Sequence, residues 1–150
     1  MSGEPQYDLD VLTHPVLVGL RDYWWEIADG RPMPARRDFE PLDITDILPH
    51  VVLFDVDGDP PRFKFRLAGT AATGRAGVDP TGRYFNDFPD SEVAIERMVA
   101  CVRDRRPYFV VDAFVWSDQP SLYYRTLTLP MGNDGETVDM LISATVIDEE

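Results

Sequence analysis

The sequence holds one cysteine, two histidines and one lysine in 150 residues. A lone Cys101 excludes an intramolecular disulfide and any Cys-x-x-Cys redox or zinc site. His14 and His50 are too few for a His-rich metal centre. No stretch approaches the ~20 apolar residues of a membrane span. The N-terminus, MSGEPQYDLD, is acidic and lacks the apolar run of a signal peptide, so the expected compartment is the cytoplasm. Cations are scarce as well. The 14 Lys plus Arg face 27 Asp plus Glu, a formal net charge of −13. Broad nucleic-acid binding needs surplus cations, so it is excluded as a function class. Anionic membrane surfaces are equally poor partners.

What is present is an ordinary globular composition, with 44% hydrophobic and 27% charged residues. A chain of this length buries roughly 70% of its unfolded surface and needs no disulfide or metal to hold a core. Residues 1–12 read as a flexible polar terminus and residues 13–150 as a single domain. A helix is expected over 15–29. Thr13 or His14 caps it, Pro15 lies in its first turn and Gly30 stops it. Leu17, Leu20, Trp24 and Ile27 recur on it at helical spacing. Pro32, Pro34 and Pro41 make 31–42 a connector, and one short helical turn follows over 43–48.

Residues 51–56 and 62–69 alternate as strands, and DGDPP between them makes a hairpin. Short turns fill 70–89. A second long helix spans 90–106, capped by Asp90, with Val93, Met98, Val99 and Val102 as its buried stripe. Three strands follow over about 108–117, 121–131 and 137–148. Apolar residues on both faces of these strands imply that the sheet is covered on both sides, by the two long helices.

Several strings imitate catalytic motifs and fail on chemistry. VVLFDVDGDP resembles the D-x-D-G-T nucleophile loop of haloacid-dehalogenase-like phosphatases. Asp59 replaces its Thr, however, and the single Lys64 lies in the next strand. The same aspartates, Asp55, Asp57 and Asp59, begin a calcium loop, but Pro60 and Arg66 occupy the Gly and Glu positions. Residues 69–76 echo a phosphate loop with Arg75 for Lys and Ala76 for the hydroxyl residue. Cys101 sits mid-helix among apolar residues, the setting of core filler. Asp112 and Arg125 are charged residues in apolar strands. They pair with each other or one of them faces a ligand.

Taken together, several strings resemble the PAS superfamily, in particular small stand-alone PAS-like proteins typical of alphaproteobacteria. They are Tyr23-Trp24, RPMPARRDFEPLDITDILPHVVLFDV, RFKFRLAGT, GVDPTGRYF and YYRTLTLPMGNDGETVDMLIS. The resemblance implies an α+β fold with a five-stranded antiparallel sheet, ordered second, first, fifth, fourth, third strand. Helices pack on the inner face and an N-terminal helix on the outer face, which is also a frequent dimer contact. Flavin-binding PAS domains carry an N-C-R-F-L-Q-like motif and haem-binding ones a His on the long helix. Neither feature occurs here, so no haem, flavin or covalent cofactor is expected.

The implied function is a sensory and interaction module, not an enzyme. It is expected to hold a small apolar or amphipathic ligand and to signal by association with itself and an unknown signalling protein. Assigned by expected facing, the candidate pocket is Phe65, Leu67, Tyr84, Phe88, Met98, Val102, Phe114, Arg125, Leu127 and Ile142. The facing of strand 108–117 stays open, since Phe109, Val111, Ala113 and Val115 form an equally apolar alternative. The candidate partner surface is Leu20, Tyr23, Trp24 and Ile27. Two other readings compete. One is a compact enzyme with Asp112 or Tyr123 as proton carrier. The other is a scaffold with a filled core.

Overall fold

A computed structural model of the chain describes residues 3–73, 79–113 and 122–149. Helix α1 spans Pro15–Ala28. The His14 Nδ1 caps it by accepting from the Val16 amide at 3.2 Å, which satisfies one of the donors a helix start leaves open. It ends where Asp29 takes a left-handed conformation, followed by Gly30 at φ 82°, where the missing Cβ removes the steric cost. The connector runs through three single turns, Arg36–Asp38, Pro41–Ile44 and Leu48–His50.

The hairpin forms as read, from β1 (Val51–Asp57) and β2 (Arg62–Ala68). The one-turn helix α2 (Thr70–Thr73) and a turn at Phe85–Asp87 follow. Helix α3 covers Glu92–Asp104. Three strands complete the sheet, β3 (Tyr108–Ala113), β4 (Leu122–Met131) and β5 (Met140–Glu149). All pairings are antiparallel and the order is β2-β1-β5-β4-β3.

The N-terminal segment differs from the flexible tail expected of residues 1–12. Gln6 pairs with Phe109 at the outer edge of β3 through two backbone hydrogen bonds of 2.8 and 2.9 Å. Gly3 approaches β3 so closely that a Cβ would run into the carbonyl oxygen of Val111. Leu9 and Leu12 enter the core, and Arg21 of α1 donates to the Leu9 carbonyl at 2.9 Å. The segment therefore covers a sheet edge that would otherwise present unpaired backbone groups.

Helix α3 also departs from expectation. Asp90 does not cap it. Its N-cap is Ser91, whose hydroxyl donates to the Phe88 carbonyl. Val93 is exposed, and the fully buried positions are Arg97, Met98 and Cys101. The buried stripe is rotated because Arg97 points inward to meet Asp112 of β3.

Candidate functional site

Residues paired across neighbouring strands share a face, and successive residues alternate. Tyr108, Val110 and Asp112 of β3 lie on the face covered by α3, as the Arg97–Asp112 ion pair at 3.2 Å shows. This settles the open facing of β3. The pairs Tyr108↔Thr128 and Thr128↔Ser143 carry the same face across the sheet. It bears a run of hydroxyls. Thr128 Oγ1 lies 2.9 Å from Ser143 Oγ, and Thr126 Oγ1 lies 3.0 Å from Thr145 Oγ1. Tyr108 hydrogen-bonds Thr128 from the other side, and burial holds its phenol well above the ordinary range. Thr128 and Ser143 are fully enclosed. Each such hydroxyl needs a partner to remove it from water without a penalty, and the ladder supplies one.

Beside the hydroxyls, at the β1–β2 end, the space under the sheet is filled by aromatic rings. Phe54, Phe63, Phe65, Phe85 and Phe88 form one cluster, with Phe54 and Phe65 centroids 4.8 Å apart. Of the expected pocket residues, Phe65 and Phe88 belong to this cluster, and Met98 and Val102 come from α3. Leu127 and Ile142 do not join them. They sit one residue out of phase with Thr128 and Ser143, and so lie on the opposite face, as does Arg125. Leu67 shares that face through its pairing to Leu53 and then Ile142. Tyr84 is on the rim, where its hydroxyl bonds Asp57 at 2.7 Å and Arg62 stacks on its ring. Phe114 lies outside the described residues.

The expected partner surface is corrected too. Leu20, Tyr23 and Trp24 are buried within the chain itself and Ile27 is half-buried. The Trp24 indole donates to the Pro130 carbonyl at 2.9 Å, and the Tyr23 hydroxyl accepts from the Glu40 amide at 3.0 Å. The double tryptophan splits, with Trp24 inward and Trp25 exposed beneath Arg21.

The electrostatics of the α3 face centre on Arg97. Its Nη2 donates to Asp112 and to the Gly3 carbonyl, so it ties α3, β3 and the N-terminal segment together. Cys101, one turn further along α3, is enclosed, and burial pushes its thiol up to about 12. The sequence reading passed over Arg97, Tyr108, Thr126, Thr128, Ser143 and Thr145. For Thr126 and Thr128 the signal is the alternation of Thr with Leu in TLTLP; the other four carry none.

Among the described residues no group of three or more metal-ligating side chains occurs, and no helix is long and apolar enough to cross a membrane.

A family model described as a PAS domain matches residues 12–145. The chain belongs to the PAS family. Solved structures similar to this PAS protein include a LOV domain from an Erythrobacter litoralis blue-light activated histidine kinase. It has 13% identity and a TM-score of 0.47, and the match covers 67% of this chain and 95% of that one. The PAS domain of histidine kinase ThkA is similar at 17% identity and a TM-score of 0.45, covering 66% and 99% of the two chains. No curated protein is similar enough to this PAS chain to match.

Proposed function

We propose that this PAS protein is a sensory and interaction module that takes a small amphipathic molecule between α3 and the sheet. It signals by associating with a second copy and with another protein. The observation that carries this reading is the hydroxyl ladder of Thr126, Thr128, Ser143 and Thr145 on the face beneath α3. A core needs no polar rungs to be stable, since apolar residues of the same shape serve as well. With α3 seated the rungs satisfy one another; displaced from the sheet, α3 would open hydroxyls beside an aromatic cluster, which suit a ligand with one apolar and one hydrogen-bonding end. Such a ligand acts by favouring one arrangement of α3 over the sheet.

Association is assigned to the outward side of α1. Trp25, 46% exposed, replaces the buried Trp24 as its anchor.

The test is organic extraction of the purified protein followed by mass spectrometry, beside a thermal-shift screen of small amphipathic compounds. A molecule recovered from the wild type, or a hit in the screen, is expected to lose retention or shift in Thr128→Val. Absence of both, or hits that ignore Thr128→Val, overturns the ligand reading. Light scattering tests association, with a halved mass expected for Trp25→Arg. A wild-type monomer would overturn that part.

A further inference from the structure

We propose that the cavity between the N-terminal segment and α3 binds a small monovalent inorganic anion of halide size. The inference does not depend on the ligand reading above.

Arg97 begins the argument. Its side chain is 8% exposed, its Nη2 is engaged by Asp112 and the Gly3 carbonyl, and the Tyr124 hydroxyl of β4 hydrogen-bonds the same guanidinium. Its Nη1 has no hydrogen-bond partner, and among the described residues it is the buried side-chain polar atom in that condition. A buried charged donor without an acceptor is costly, and native proteins rarely leave one.

Arg97 lines a cavity of about 30 Å3 together with Pro5 and Tyr7 of the N-terminal segment, Cys101, Arg106 and Tyr108. One water-sized species needs about 10–15 Å3. The space therefore admits a monatomic ion or two waters.

The chemistry of the walls favours the ion. Arg97 and Arg106 carry donors and no acceptors. Cys101 stays protonated, so its S–H is a further weak donor. The carboxylate at the cavity, Asp104, is paired through both oxygens with Arg103 at 2.9 Å, which offsets its charge. A water must place its own hydrogens on acceptors, whereas an anion asks for donors alone. In a protein of net charge −13, this end of α3 also concentrates Arg97, Arg103, Arg105 and Arg106. The bound ion would accept from Nη1 and clip the N-terminal segment to α3. Arg106, stacked on the Tyr7 ring at 3.6 Å, would close the mouth.

Binding to the folded state alone raises stability in a saturable way. The test replaces sodium gluconate by sodium chloride at constant ionic strength and follows the unfolding midpoint of the full chain. A saturable rise is expected in the wild type and no rise in Arg97→Met. If Arg97→Met fails to fold, the exposed Arg106→Gln serves, with its saturation displaced to higher chloride. Crystals soaked in bromide should show an anomalous peak within hydrogen-bonding distance of Arg97 Nη1. Both results are required. A linear or absent chloride response, the same response in the variants, or a water in place of the bromide peak overturns the proposal.

Discussion

The Nε1–H of Trp24 reaches from α1 to the carbonyl of Pro130 in β4, a buried hydrogen bond of 2.9 Å between residues more than 100 positions apart. It fastens the helix to the sheet at a point where proline interrupts β4's own supply of donors. Trp24→Phe leaves the Pro130 carbonyl unsatisfied and the site underfilled. The expected loss is about 1–3 kcal/mol, read by urea denaturation. The association state should not change, because Trp24 is internal.

Asp112 and Arg97 stand in a different relation, since each makes the other's burial tolerable. Asp112→Ala leaves an enclosed guanidinium without its counter-charge, which costs about 3–5 kcal/mol. Asp112→Asn keeps an acceptor and should cost less. Equal stability of the two variants in denaturant titration would show that charge is unimportant there.

The Cys101 thiol, held up to about 12 by burial, is almost entirely protonated at pH 8. Thiolate is the reactive form, so alkylation by iodoacetamide should wait for opening of the protein. The rate should rise steeply across the urea transition. Fast labelling of the native protein would contradict the burial.

Asp38 accepts from the Ala35 amide and from Arg31, each at 2.8 Å, and the amide bond is foremost in lowering its pKa below the ordinary 3.8. A carboxyl whose folded pKa is depressed stabilises above its unfolded value and loses that contribution as pH falls through the folded value. Asp38→Asn should therefore be less stable than wild type at pH 7. The two should converge below pH 3.8, in denaturation series run at each pH.

The strands, the hairpin and the sheet order could be read because alternation, turn residues and the family strings all pointed one way. The inner face of β4 could not. Leu127 and Leu129 alternate with Thr126 and Thr128, and a sheet covered on both sides gives no solvent face to decide which set points where. Assigning Leu127 to the pocket follows the usual preference for apolar interiors, and the structure places it on the other side. Arg97 was hidden for a related reason. An arginine is not expected in a buried stripe, and its partner Asp112 lies in another element. The N-terminal segment had only Leu9 and Leu12 to announce it, since its hold on β3 is made by backbone atoms that any sequence carries.

The central place of β5 bears on how the protein is made. β1 pairs with β5 across about 90 residues of chain, Val51 opposite Ala144, while β5 also carries β4 on its other side. During synthesis the β1–β2 and β3–β4 pairs emerge first, with nothing to join them. Each has an open edge until the last strand leaves the ribosome and closes the gap. Nascent chains arrested before Met140 should therefore lack the assembled sheet, and this delay is the interval in which the chain most needs protection from its neighbours.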